Sequence, residues 1–529
     1  MGNEVLLKPA HPVGETKTNE ELPFLSSNDS LKCDTFGGLV HIEWDPHQPV
    51  TPLGQLPFFI EFLKTANLFE PWVKECPLTY TSPNGPGVRN ILGTLFLAAL
   101  AGQKRYAHIT AIRNDTLNPP LLGMTKIVSE DSARRAFQDA DRIACATWQK
   151  THLKHCYEAL LVEPWILDID TTVKPLYGHQ EGAEIGYNPK KLGRPSQIIH
   201  TFMIGQLRMV LDCEVLSGKQ HSSNYTMPLL WELLDSLPPE KQPTLIRGDC
   251  AFGNEKVLFE TERRGRNFLY KLKKTKGVKT LIDFMSNEGK KWTDAGQGFE
   301  GIKGELRLQG WSKRRTVLIL RRPHQRKKGR PSKQRALMLP FYGEMKTLSP
   351  EMKNYEYQVI VTNLDLEMVT LAQLYRDRGD SENVFDELKN QWGWGGFVTK
   401  DLLRSQIMIR IIAQVYNWWL LFVRFANREK HSEGITSRPL LLHGVARQTV
   451  SGRQKTFIIT PTHGKAKDAQ ERLGWMHSVL NWIKSKAEQL SIEDRWNTLL
   501  SIIFSKFLNG RLLGSIKSLK NAVLCLEFG

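Results

Sequence analysis

The sequence predicts an α/β fold: a mixed core with a β-rich insertion, flanked by all-α N-terminal and C-terminal domains. Three observations predict it. Apolar residues recur at helical spacing over 55–160 and again from 401 onward. Between these stretches lie short apolar runs of strand character, in the order β-β-β-α-β-α-β, and two of them end in acid. Residues 261–335 then concentrate 23 Lys/Arg against 6 Asp/Glu, in strand-like runs separated by Gly, Pro and basic loops.

Residues 1–35 are polar and aperiodic and read as an N-terminal arm. Residues 36–160 read as a helical domain. LPFFIEFLKTANLF and VRNILGTLFLAALAG carry apolar stripes, and Ser129 is a candidate N-cap, with Ser132 as the alternative. Residues 161–273 hold the first part of the core. PWILDID (164–170) reads as a buried strand ending in acid. QIIHTFMIGQ and RMVLDCEVLSG read as antiparallel strands that turn near Gly205 and Gln206. A helix over 226–238, the strand PTLIRGD (243–249), a helix over 253–265 and the strand FLYKLK (268–273) follow. Residues 274–354 form the basic insertion, with GELRLQGW and RTVLILRR as its strands. Residues 355–427 return to the core with a strand (355–363), one helix over 369–392 and a long apolar helix over 401–427. Residues 428–529 read as a helical C-terminal domain.

Lys plus Arg number 72 and Asp plus Glu 55, a formal charge of +17. The excess is concentrated: 261–335 nets +17 and 428–529 nets +8. Such clustering points to a polyanion, DNA or RNA, as partner; a solvated basic surface is the alternative. Seven cysteines form no CxxC pair, so a disulfide framework and a zinc ribbon are not expected. The N-terminus, MGNEVLLKPAHP, lacks the basic and apolar regions of a secretory signal. A cytoplasmic, nucleoid-associated protein is the expectation. The apolar stretch 405–425 contains Arg410, Gln414 and Asn417, which favours a buried core helix over a membrane span.

The chemistry-bearing residues are acids. Asp168 and Asp170 close the first strand and point to one face, because strand side chains alternate. Asp249 closes a later strand. The helix over 369–392 brings Tyr375, Arg378, Glu382 and Lys389 onto one stripe about 60° wide at 100° per residue. Beside it lies an apolar arc of Val384, Phe385 and Leu388. An acid on such a stripe can reach a metal while the flanking bases meet phosphates. The same pattern also fits an amphipathic helix in which Arg378 and Glu382 make an ordinary i,i+4 pair. Three converging carboxylates repel one another unless cations separate them, and hard oxygen donors select two Mg²⁺ ions, with Mn²⁺ able to substitute.

The spacing Tyr-(2)-Arg-(3)-Glu-(6)-Lys resembles the signature around the last acid of bacterial insertion-sequence DDE transposases of the IS-four superfamily. The stretches DIDTTVKPLYGHQEGAEIGYNPKKLGRPS, RGDCAFGNEKVL and LGTLFLAALAGQKRYAHITAIRND are similar to its thirteen-eighty-type branch, over about residues 37–427. The resemblance implies an RNase H-like catalytic core with its β insertion between the second and third acids. It assigns Asp170, Asp249 and Glu382 as the catalytic and metal-holding acids, with Asp168 as a rival for the first. It gives Tyr375, Arg378 and Lys389 contacts to DNA phosphates. Lys190, Lys191 and Arg194 follow the first strand and either reach the substrate backbone or form a solvated loop.

The implied activity is cut-and-paste transposition: metal-dependent cleavage at terminal inverted repeats and 3′-hydroxyl strand transfer into target DNA. The implied assembly is a homodimer on double-stranded DNA, with the N-terminal helices reading the ends. Two alternatives stay open: another RNase H-like metal nuclease, and a non-catalytic DNA-binding protein derived from a transposase. Minor features complete the reading. RKKGRPSKQR (326–335) is similar to an AT-hook or is a basic loop tip. Trp392 and Trp394 either pack in the core or stack on a base. Trp292, Trp311 and Tyr355 are candidates for holding a flipped base. His108 is structural or a phosphate contact.

Overall fold

A computed structural model describes residues 31–45, 47–287, 289–324, 354–427, 431–486 and 488–514. The AT-hook-like run at 326–335 lies outside them. The chain forms two compact units, 1–48 and 49–529. The described part of the first is a hairpin of β1 (Leu31–Thr35) and β2 (Gly38–Ile42), so the last five residues of the expected arm are a strand.

The second unit opens with β3 (Val50–Thr51) and six helices: α1 (Leu56–Thr65), α2 (Phe69–Lys74), α3 (Val88–Leu100), α4 (Asn118–Leu121), α5 (Glu130–Arg135) and α6 (Arg142–Tyr157). Ser129 caps α5 by accepting the Ser132 N–H at 3.2 Å.

The centre is a nine-stranded sheet. Its strands are β4 (Ile166–Pro175), β5 (Ser196–Ile204), β6 (Met209–Ser217), β7 (Leu245–Gly248), β8 (Phe268–Lys271), β9 (Thr293–Gly296), β10 (Phe299–Leu306), β11 (Arg315–Pro323) and β12 (Tyr355–Thr362). They lie in the order β6-β5-β4-β7-β8-β12-β11-β10-β9. Only β4–β7 and β7–β8 are parallel; α7 (Ser223–Asp235) and α8 (Glu255–Arg263) make the connections that parallel pairing requires. The strands of the insertion, entered through α9 (Lys276–Asn287), continue this same sheet past β12.

Two helices stand where the sequence predicts one over 369–392: α10 (Met368–Arg376) and α11 (Gly379–Gln391). The ladder breaks at Asp377 and Arg378, where the N–H groups of Arg378 and Asp380 bond three residues back. Gly379 and Asp380, both weak helix formers, follow at once. The break places Glu382 in the first turn of α11, where the helix dipole favours a carboxylate.

The long apolar helix α12 (Leu402–Ala426) covers the edge strand β6. Gln406 and Asn417 bond the backbone of Cys213, Val215 and Val210, and Arg410 pairs with Asp212 and Glu214. The polar residues inside this helix therefore satisfy a sheet edge. It is the one described helix long and apolar enough to cross a membrane, and its most apolar window is entirely buried in the protein.

The flanks differ from the all-α expectation. After α13 (Gly434–Leu441) come β13 (Val445–Ser451) and β14 (Gln454–Thr460), which form a three-stranded sheet with β3. Gly452 takes φ +60° in the turn between them, a conformation glycine adopts without strain. Helices α14 (Ala466–Ser485) and α15 (Ile492–Ile503) follow. The six described cysteines are free.

Candidate active site

The sheet brings the first two acids together. Parallel pairing of β4 with β7 ends at Ile169 and Gly248; one step further stand Asp170 and Asp249. β4 runs on to Pro175 against β5, so Asp170 lies within its strand and not at its end. Pairing stops only on the side that faces Asp249. This opens a gap beside the carboxylates.

Glu382 reaches the same gap from α11. Arg378 joins the elements: its guanidinium donates to Asp170 Oδ2 at 2.9 Å and to Glu382 Oε1 at 2.9 Å. The Arg378 side chain is 4% exposed, that of Asp170 20% and that of Glu382 66%. Burial pushes the Asp170 carboxyl up to about 6, and repulsion from Asp249 and Glu382 adds to it; Arg378 and the Thr171 N–H oppose the shift. Burial disfavours the charge on Arg378, yet Asp170, with Asp168 and Asp249, holds it above the ordinary arginine range. Asp249 Oδ1 accepts the Ala251 N–H at 2.8 Å.

Asp168 has a different environment from Asp170. It is 1% exposed and bound bidentately by Arg247, with Nε to Oδ1 and Nη2 to Oδ2 each at 2.6 Å. The Ser381 hydroxyl donates to Oδ2 as well. Those bonds occupy both of its oxygens, which leaves Asp170 as the carboxylate facing Asp249.

The chemistry of the donors suits a hard divalent cation: Asp170, Asp249 and Glu382 offer only carboxylate oxygens, and Asp249 and Glu382 add repulsion to the burial that raises the Asp170 carboxyl. Among the described residues, however, no three His, Cys, Asp or Glu side chains stand at metal-holding spacing. The physical reason is Arg378, which fills the space between Asp170 and Glu382 and supplies the neutralising charge.

The expected phosphate contacts are turned inward. Tyr375 is 8% exposed and packs with Leu245, Leu269 and Leu371; burial raises its hydroxyl pKa. Lys389 Nζ donates to the Val173 carbonyl at 2.9 Å, and burial, then the charge of Lys190, lowers its pKa. Lys190, Lys191 and Arg194 are exposed. Lys191 and Arg194 rest over the Tyr177 ring, 4.9 and 4.8 Å from its centroid.

Trp392 and Trp394 are fully buried and donate to Glu387 and to the Ile409 carbonyl, which makes them core residues. Trp311 is buried. Trp292 and Tyr355 carry Arg321 over their rings, at 3.9 and 4.6 Å, so the same cation already covers one face of each. His108 is exposed and accepts the Lys104 N–H at 3.4 Å.

Sequence reasoning missed three residues here. Arg247 lies in the run LIRG, and a charge in a buried strand needs a partner; that signal called for a buried acid without saying which one. Ser381 carried no signal. His221 lies 3.3 Å from Thr171 Oγ1, with its ring 4.2 Å from that of Tyr187; burial lowers its pKa against the field of Asp249.

No curated protein sequence matches the chain. Among solved structures, a cryo-EM structure of the piggyBac transposase synaptic complex with hairpin DNA aligns over 86% of this chain and 87% of its own. The identity is 11% and the TM-score 0.36. Residues 162–418 match the family model for a transposase DDE domain. That stretch, just under half of the chain, contains Asp170, Asp249 and Glu382.

Proposed function

We propose that this protein is a cut-and-paste transposase of an insertion sequence, of the IS-four type with the Tyr-Arg-Glu-Lys signature, acting on terminal inverted repeats. One observation carries the reading: Asp170 and Glu382, far apart in sequence, share the Arg378 guanidinium, and Asp249, one step beyond the last paired residue of β7, lies within the electrostatic field of both Asp170 and Arg378. The strand order β6-β5-β4-β7-β8, with α7 and α11 on opposite faces, supports an RNase H-like core. His200 on β5 bonds Thr226 of α7, while Asp168 on the other face of the sheet bonds Ser381 of α11.

Asp170, Asp249 and Glu382 hold two divalent cations, Mg²⁺ or Mn²⁺. When bound, these supply Lewis acidity to the attacking and leaving oxygens of an in-line displacement. Arg378, released from the acids, makes a bidentate contact to a DNA phosphate. Lys389 adds a point charge, and Lys190, Lys191 and Arg194 follow the backbone of the same strand. Water first attacks the phosphodiester at the element's boundary, and the element leaves with a free 3′-hydroxyl. That hydroxyl then attacks a target phosphodiester, whose own 3′-oxygen departs. Two ends must be handled together, so a homodimer on double-stranded DNA completes the proposal.

The test is a labelled duplex carrying the element's terminal repeat, incubated with Mg²⁺ and either wild type or Glu382→Gln. A cut at the repeat boundary with wild type alone supports the reading. Tight binding without cleavage by either protein, with Mn²⁺ included, moves the function to a binding-only descendant.

A further inference from the structure

A second, buried layer lies beneath the acids. Arg247 of β7 stands in register with Asp168 of β4, and its guanidinium binds both oxygens of that carboxylate. Its third nitrogen donates to the Leu374 carbonyl of α10. Asp168 also accepts the hydroxyl of Ser381 on α11. Arg247, Asp168 and Ser381 are each 1% exposed. One guanidinium and one carboxylate therefore tie together two strands and both helices of the broken pair.

The sequence positions of these anchors are telling. Asp168 precedes Asp170 by two residues, and Arg247 precedes Asp249 by two. Within β4 that spacing puts Asp168 on the same face as Asp170, one pleat along, while Arg247 is the last residue but one of β7 and Asp249 stands just past its end. Ser381 immediately precedes Glu382, and Leu374 immediately precedes Tyr375. Every element that delivers a residue to the acid cluster is pinned one or two residues upstream of it.

We infer that Asp168, Arg247 and Ser381 are positioning residues: a buried clamp that sets the separation of Asp170, Asp249 and Glu382 and so the affinity of the site for divalent cations. The inference rests on the metal-holding role proposed for those acids. Catalytic carboxylates must be held to within a fraction of an ångström by groups that are themselves locked. The helix interrupted at Asp377–Arg378 has no continuous hydrogen-bond ladder to fix α11 relative to α10, and the clamp bonds both of them. Gly205 makes room for the clamp: a Cβ there would lie 2.4 Å from Asp168 Oδ2 and 2.6 Å from Arg247 Nη2. The same turn contributes Arg208, which pairs with Asp380 at 2.7 Å and steadies the first turn of α11.

The test uses the full chain and Mn²⁺ alone, with uptake read by isothermal titration and by the electron paramagnetic resonance signal of free Mn²⁺. Ser381→Ala removes one hydroxyl and no charge. Its expected effect is a half-saturation concentration raised about tenfold, with melting temperature and duplex retention close to wild type. Ser381→Thr, which keeps the hydroxyl, is expected to restore wild-type uptake. Gly205→Ala, which presses on the clamp from the opposite side, is expected to weaken uptake in the same way. Wild-type uptake in both Ser381→Ala and Gly205→Ala overturns the inference while leaving the role of the acids intact. Equal impairment of Ser381→Ala and Ser381→Thr overturns it too, because the hydroxyl is then not the acting group. Absence of Mn²⁺ uptake by the wild type overturns the metal-holding role and the clamp's purpose with it.

Discussion

Arg378 and Asp170 form an ion pair at 2.9 Å across the junction between α11 and the central strand β4, and the same guanidinium holds Glu382. A side chain expected to face DNA thus serves as the counter-ion of two acids. In the proposed function this charge must be replaced before the acids bind cations, and the consequences are measurable.

Removing it should expose the repulsion it masks. Arg378→Gln is expected to lower stability by about 1–2 kcal/mol without divalent cations. That is less than the 3–5 kcal/mol of a fully buried pair, because Glu382 is largely exposed. Mn²⁺ should restore more of the melting temperature in this variant than in wild type, as thermal unfolding with and without the ion will show.

Asp170→Asn should stabilise the free protein while abolishing cleavage. The folded-state pKa of Asp170, about 6, lies above the ordinary aspartate value. Ionisation is therefore disfavoured by the fold: the penalty is absent below about pH 4 and grows as pH rises through 6. The gain over wild type should be near zero at pH 4 and reach at most about 3 kcal/mol above pH 7. Denaturant unfolding across that range checks both sign and window.

Two residues earlier the sign reverses. Asp168→Ala leaves Arg247 buried and unpaired, and should cost about 3–5 kcal/mol at neutral pH. Denaturant midpoints of the two aspartate variants, measured side by side, separate the buried partner from the reactive one.

The basic loop should act on affinity alone. Replacing Lys190, Lys191 and Arg194 with Ala is expected to leave the melting temperature within a degree or two. Duplex binding should weaken, and the dependence of log K on log salt should flatten by up to about 2.7 if each contacts one phosphate. Fluorescence anisotropy at several salt concentrations reads both.

Much of this architecture was legible because periodicity reports burial. The strands at 166–217 and the helix α12 followed from their apolar patterns, and alternation placed Asp168 and Asp170 on one face. Alternation could not say which of the two was spent in an ion pair, since that depends on Arg247, 79 residues away. The helical wheel grouped Tyr375, Arg378 and Glu382 but assumed one continuous helix. The interruption at Arg378 turns that residue into the space between the acids, and only the packed sheet supplies the partners that hold it there. The hairpin β13–β14 was missed because mixed polar alternation at a surface gives little hydrophobic signal.

The central claim is that three carboxylates form one phosphoryl-transfer centre. Cleavage of the terminal-repeat duplex by Asp170→Asn, Asp249→Asn and Glu382→Gln, measured beside wild type with Mn²⁺, tests it most directly. The account predicts that each variant retains the duplex with near-wild-type affinity and cleaves at less than about a thousandth of the wild-type rate, a loss of more than about 4 kcal/mol in transition-state stabilisation. Cleavage within tenfold of wild type by any one of them would contradict it.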